Sequence, residues 1–340
     1  MAAREPTSPQ TYGRSIGIEI ADGATRLTAL LGSKPFARRW HTRLPAPPSP
    51  EEAVSHIHEL IERAVRETSE NGSSASTPSP TITAIGVALW GNVDATHGIV
   101  RELRPLTGWQ GFPLAAALRQ HWHVPITIAS ATTAAALAEA KQSAHADTET
   151  LLYVHLGHTI STACTRDASI IMGAHTSEGM LAHMFVIPDG PRCSCGVRGH
   201  LEPIASAQAI VRTMIGLAAD SEDSTAAMLR ISQGRAEAMS AAQVVQLAIS
   251  GDPTAARVVG DAVDALALAL ANTVALLAPN SIVIGGPLTE AGDAFLTPVR
   301  ERLDSLCRPF TTPPSLHLSM LEPFSALLGA QLLPQSWHNI

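Results

Sequence analysis

Residues 179–206 read GMLAHMFVIPDGPRCSCGVRGHLEPIAS, and within them His183, Cys193, Cys195 and His200 follow one another at separations of ten, two and five. Two thiols and two imidazoles gathered this closely, with Pro and Gly turning the chain between them, form the donor set of a tetrahedral structural zinc site. Such a site is closed, and its metal contributes to folding. Copper or iron would ask for another geometry, so zinc is the expected metal, with ligands His183, Cys193, Cys195 and His200. The alternative is two unrelated cysteines in a surface loop beside two histidines.

The rest of the chain has to supply a scaffold for that loop. At 340 residues and 45% hydrophobic it can bury a large core in one or two domains. A net charge of −7 offers no basic stripe for nucleic acid. Four cysteines, two of them committed to the metal, suit a reducing cytoplasm better than a disulfide framework, and Cys164 and Cys307 are expected as buried thiols. Residues 1–13 lack the apolar run of a signal peptide, and no uninterrupted apolar stretch of about 20 residues is present to span a membrane. A cytoplasmic protein is expected, with no membrane association.

Periodicity then places the elements. SIGIEI, a turn at residues 21–23 and TRLTALLG read as a hairpin; residues 51–68 carry helical spacing behind Ser49; TITAIGVALW reads as a buried strand. Residues 70–80, ENGSSASTPSP, have nothing large to bury and read as a flexible loop. A helix from about Leu114 to Trp122, the strand VPITIAS and the helix TTAAALAEA come next, and LLYVHL is a further strand. Residues 203–278 read as mostly helical, with breaks at 220–224 and 251–253 and a long helix from Ala255 to Leu277. SIVIGG, a helix to about Arg302, a strand near SLHLSM and the helix SALLGAQLL close the chain.

The His followed by Cys-x-Cys-Gly-x-x-Gly, a further ligand, Leu and Glu resembles the signature of the ROK family (repressor, open reading frame, kinase), which holds glucokinase-like sugar kinases and sugar-responsive repressors. The family's last ligand is ordinarily Cys, and His200 stands there. The resemblance covers about residues 15–332. It implies an α/β fold of two lobes with actin-like ATPase (ribonuclease-H-like) topology around a cleft. The expected division is a disordered stretch 1–13, an N-terminal lobe 14–130 and a C-terminal lobe 131–332 carrying the zinc loop 183–200, with the last helix able to pack back on the first lobe.

The same resemblance assigns roles position by position. Gly91, Asn92, Ser130, His183 and Glu202 match sugar-contacting places, and Gly285 and Gly286 match a turn that approaches the adenosine part of ATP. Family kinases carry Asn-Asp at the start of the helix after the VPITIAS strand, the Asp acting as general base; here those positions are Ser130 and Ala131. Ser130 equally reads as a helix cap, and Glu202 as a carboxylate answering a helix dipole. The first phosphate loop matches the family's acidic residue at Glu19 but reads Ala21 and Asp22 where paired glycines are usual, and a carboxylate at Asp22 has the wrong sign to face phosphate. The second loop keeps Gly157 but carries His158 and Ser161, and Met180 replaces a sugar-contacting Glu.

These departures gather on the reacting groups, while the zinc ligands stay. The expectation is a pseudokinase that binds a sugar or other small ligand in the cleft and does not favour ATP and Mg2+. The alternatives are an active ATP-dependent sugar kinase in which Glu19 or His158 serves as base, and a cleft adapted to other chemistry through His155, His158 and His175. The resemblance further implies a homodimer or homotetramer. The 14 or so residues before the first strand are too few for the DNA-binding domain of the family's repressors, so no direct nucleic acid binding is expected.

Overall fold

The computed structural model describes residues 15–21, 24–32, 38–71, 82–103, 106–144, 148–173 and 180–336. The segment 1–13, most of the loop at 70–80, and Asp22, His175 and Gly179 lie outside the described residues. The chain divides into two compact units, residues 1–138 with 324–340, and residues 139–323.

The first unit is built on a five-stranded sheet. Its strands are β1 (Ser15–Ala21), β2 (Arg26–Leu31), β3 (Arg38–Arg43), β4 (Ala84–Leu89) and, after the hairpin of β5 (Asn92–Asp94) and β6 (Ile99–Glu102), β7 (Ile126–Ser130). The spatial order is β3-β2-β1-β4-β7, with β1 antiparallel to β2 and parallel to β4, and β4 parallel to β7. Every residue of β1 and β4 is buried, the mark of central strands covered on both faces. Helices α1 (Pro50–Asn71), α2 (Leu114–Arg119) and α3 (Ala131–Gln142) connect them. Ser49 and Glu52 start α1 with reciprocal bonds: the Ser49 hydroxyl accepts from the Glu52 amide at 3.2 Å, and the Glu52 carboxylate accepts from the Ser49 amide at 2.8 Å.

The second unit repeats the plan. Strands β8 (Thr150–Leu156), β9 (Ile160–Arg166) and β10 (Ser169–Ile171) form an antiparallel meander. Five helices follow, α4 (Glu202–Ala205), α5 (Ala207–Ala218), α6 (Glu222–Ile231), α7 (Ala241–Ile249) and α8 (Pro253–Leu277), then β11 (Ser281–Gly285), α9 (Asp293–Cys307) and β12 (Ser315–Leu318). The order is β10-β9-β8-β11-β12, with β8, β11 and β12 parallel. Helix α8 starts at Asp252, whose carboxylate accepts from the Ala255 amide at 2.8 Å, with Pro253 in the first turn. By length and composition α8 could cross a membrane, yet 67% of its apolar window is buried inside the protein, where it forms the spine of the second unit's core.

Helix α10 (Ser325–Ser336) returns to the first unit and lies on β1 and β4. Gly17 and Gly86 face each other across those strands, and a Cβ on them would come 2.7 Å from the Gln331 nitrogen and 1.8 Å from the Ala330 oxygen. Gly329 answers from the helix, where a Cβ would fall 1.7 Å from the Ala134 oxygen in α3. Helix and sheet therefore touch backbone to backbone. The first unit takes in α3 as far as residue 138 and residues 324–340, where α10 fills the glycine groove.

Other differences are local. Strand β3, RRWHTR, has no apolar alternation; it is an edge strand whose charges face outward, and its pattern concealed it. Helix α9 continues five residues beyond Arg302 to Cys307, which is buried. The helical run from 203 also breaks at Ser206, between α4 and α5, and at 232–240, before the Ser240–Gln243 capping box that opens α7.

Candidate functional site

The His/Cys cluster is assembled by two short antiparallel segments. The amide of Val186 donates to the Gly199 carbonyl at 2.9 Å and that of Leu201 to Met184 at 3.0 Å, which brings His183 and His200 side by side. A tight turn carries the cysteines: the Gly196 amide donates to the Cys193 carbonyl at 2.9 Å and the Cys193 amide to Val197 at 2.8 Å. Gly196 at φ +93° makes that turn possible. Gly199, at φ +85°, has no room for a side chain, since a Cβ would lie 2.3 Å from the Ile187 oxygen.

The four ligand atoms lie within 4.8 Å of one another. The Nδ1 atoms of His183 and His200 are 3.4 Å apart, Cys193 Sγ is 3.6 Å from His183 Nδ1, and Cys195 Sγ is 3.3 Å from His200 Nδ1. Bond lengths of about 2.05 Å to nitrogen and about 2.3 Å to sulfur give tetrahedral edges of roughly 3.4 Å between nitrogens and roughly 3.6 Å between nitrogen and sulfur. The donor set fits zinc in chemistry and in these three separations. Phe185 covers one side, its ring edge-on to His200 with centroids 4.7 Å apart.

Glu202, the first residue of α4, is tied to this loop: its Oε1 accepts from the Ser194 hydroxyl at 3.2 Å and lies 3.9 Å from Cys193 Sγ. Met180 is exposed, whereas Leu181 is buried in the second unit's core.

In the first unit the expected site residues lie on β1, at the start of β5 and at the β7–α3 junction. Ser130 caps α3, accepting from the Thr133 amide at 3.1 Å. Ala131, the first residue of α3, is fully buried and offers neither acid nor base. The Glu19 carboxylate on β1 is buried, accepts from the Trp90 indole N–H at 2.8 Å and stands 3.9 Å from the Arg26 guanidinium. Gly91 admits the Glu102 carbonyl, which a Cβ would meet at 2.6 Å, and Asn92 opens β5 with its side chain exposed. The turn of that hairpin is held by Asp94, which accepts from the His97 amide at 3.1 Å and from Arg101.

In the second unit His158 is exposed in the β8–β9 turn, and His155 stands at the end of β8, where burial lowers its imidazole to about 4. It is neutral at pH 7, and a Cβ at Gly157 would strike its ring at 2.5 Å. Gly285 and Gly286 end β11 against a group that sequence reasoning missed. The Gly286 amide donates to Glu322 Oε1 at 3.0 Å, and the Tyr153 hydroxyl donates to the same oxygen at 2.8 Å. Next to it Ser319 donates to the buried carboxylate of Glu139. Burial raises the Glu139 carboxyl above its ordinary value, and the Glu322 charge pushes the same way. Glu322 stands 36 residues after Gly286 and 169 after Tyr153, and no local pattern links such positions.

Both sheets have the strand order and orientation of one duplicated α/β plan, and the cluster sits in the second unit, between β10 and α4. The sequence model of the ROK family matches residues 15–336. The chain belongs to the ROK family. Among relatives of this ROK protein, a glucokinase of Halalkalibacterium halodurans is 28% identical over 226 residues, 66% of this chain and 67% of that protein. The DNA-binding transcriptional repressor Mlc of Escherichia coli is 26% identical over 264 residues, 76% of this chain and 62% of the repressor. The crystal structure of a ROK hexokinase from Thermus thermophilus superimposes with a TM-score of 0.77 at 25% identity, covering 96% of this chain and 99% of that one. The fold is that of two-lobed ROK sugar kinases, of the actin-like ATPase type, and the chain is sugar-kinase-like.

Proposed function

We propose that this ROK protein binds a sugar or related small molecule without transferring phosphate to it, and that His183, Cys193, Cys195 and His200 hold a structural zinc. The observation that carries the first part is Ala131. Where the family resemblance calls for a carboxylate to take the proton of a sugar hydroxyl, this chain has a buried methyl group. Loss of a positioned base costs about 100-fold to 10,000-fold in rate. Neither substitute base favours itself: Glu19 is held by Trp90 and Arg26, and His158 is exposed in a turn. The zinc reading rests on the spacing of the four donor atoms. Bound there, zinc would supply folding energy; four protein ligands leave no open position for substrate.

A second reading, an active ATP-dependent sugar kinase, is favoured by the glucokinase among its relatives and by the retention of buried Glu19 and of Glu202. Thermal unfolding in the presence of hexoses, amino sugars or Mg–ATP separates the two. A ligand that binds only the folded protein raises the midpoint as its concentration passes its dissociation constant. The expected result is a concentration-dependent rise with a sugar and none with Mg–ATP; a rise with Mg–ATP, or no sugar response at all, contradicts the proposal.

A further inference from the structure

Among all the polar groups of the second unit, Glu322 occupies a place where a chain usually receives something from outside. In open α/β sheets ligands bind beyond the carboxyl ends of parallel strands, and exposed backbone N–H groups in the turns there attract anions. β11 is such a strand, lying between β8 and β12 and parallel to both. The turn that follows it, with Gly286 at φ +92°, presents its amide to the carboxylate of the chain's own Glu322.

We propose that Glu322 is an internal ligand of the Gly285–Gly286 turn, which it closes to phosphate-bearing molecules. One carboxylate oxygen, Oε1, takes two donors, the Gly286 amide at 3.0 Å and the Tyr153 hydroxyl at 2.8 Å. Hydrogen bonds to a carboxylate are stronger than those between neutral groups, so an incoming anion has to displace a charged competitor that is already attached to the chain. The glycine at 285 is explained by the same contact. A Cβ there would fall 1.9 Å from the Tyr153 oxygen and 2.7 Å from Glu322 Oε1, so the absent side chain makes room for residues of this protein.

The segment carrying Glu322 is itself fastened over the strand end. The Ser319 amide donates to the Ile284 carbonyl at 2.8 Å, the Ser319 hydroxyl donates to Glu139, and the Leu321 amide donates to the Ser319 hydroxyl at 3.3 Å. Glu139 lies close enough to Glu322 for the charge of one to raise the carboxyl of the other. A phosphate entering the turn would add further negative charge beside two carboxyl groups. The inference deepens the reading of a sugar-kinase-like protein without phosphotransfer, and rests on it only in taking phosphate compounds as ligands the chain rejects.

Inorganic pyrophosphate is the probe, titrated calorimetrically into the full chain and into the Glu322→Ala and Glu322→Gln variants. Because a hydrogen-bonded carboxylate must be displaced in the parent protein, Glu322→Ala is expected to bind pyrophosphate about tenfold more tightly or better. Glu322→Gln keeps the shape and one acceptor oxygen but loses the charge, so its gain is smaller and still measurable; it carries the test if the Ala variant does not fold. Equal affinity in parent and variants, or no binding in any of them, overturns the proposal. Hexose-dependent ADP production by the parent protein is measured alongside. Its appearance sinks the reading without phosphotransfer, whereas unchanged pyrophosphate affinity with no ADP production sinks only the role of Glu322.

Discussion

Cys193 and Glu139 are two buried groups whose chemistry makes opposite demands. Cys193 needs a cation to be a stable thiolate among His183, Cys195 and His200, so Cys193→Ser is expected to abolish zinc retention and to cost the second unit about 2 kcal/mol or more. Elemental analysis of the parent should return about one zinc per chain, and a metal-free parent with the same unfolding midpoint as the variant would contradict the assignment. Glu139 demands a proton instead. Its folded carboxyl is raised above 4.5 by burial, so the folded state holds a proton that the unfolded state has lost. Stability from this group is complete below the unfolded value and falls as pH rises through the folded one. Glu139→Gln keeps the oxygen that Ser319 addresses and places a neutral amide where Oε2 has no partner. Its midpoint is expected to exceed that of the parent at pH 8 and to match it near pH 4; a variant less stable at pH 8 would refute this. The His183, Cys193, Cys195 and His200 cluster was legible in the sequence because its members fall within one loop, whereas the Glu139, Ser319, Glu322 and Tyr153 group is drawn from segments that only the fold brings together.

At the scale of elements, the contact of α10 with β1 and β4 is the most constrained junction within the first unit. Gly86→Ala would drive a Cβ to 1.8 Å from a backbone oxygen, which only a shift of the helix can relieve. The expected cost is roughly 3 kcal/mol, at the upper end of core overpacking. Gly216 in α5 is exposed and has nothing near its missing Cβ, so Gly216→Ala is expected to stabilise by about 0.5–1 kcal/mol. Chemical denaturation of both variants checks the pair, and equal effects would show that helix propensity, not close approach, governs these sites. The strands β1, β4, β8 and β11 and the helices α1 and α8 were readable from period and caps. Strand β3 was not, because an edge strand marked by Arg38, Arg39 and Arg43 carries charges where a central strand carries aliphatic side chains. The sequence reading allowed α10 to pack back on the first unit without showing how, since Gly17, Gly86 and Gly329 acquire their meaning only from one another.

Across the whole molecule, one sheet order occurs twice, and the proposed loss of phosphotransfer would leave both sheets untouched. The scaffold tolerates this because its stability comes from buried strands, glycine-permitted close contacts and the cores of the two units, none of which needs a base at Ala131 or an open turn at Gly286. Fold and activity are separable for that reason. The most direct test is hexose-dependent release of ADP from Mg–ATP by the zinc-replete full chain, run with a sugar shown to raise its unfolding midpoint. The expected rate is indistinguishable from ATP hydrolysis without sugar, whereas sustained, sugar-dependent turnover would contradict the proposed absence of phosphotransfer.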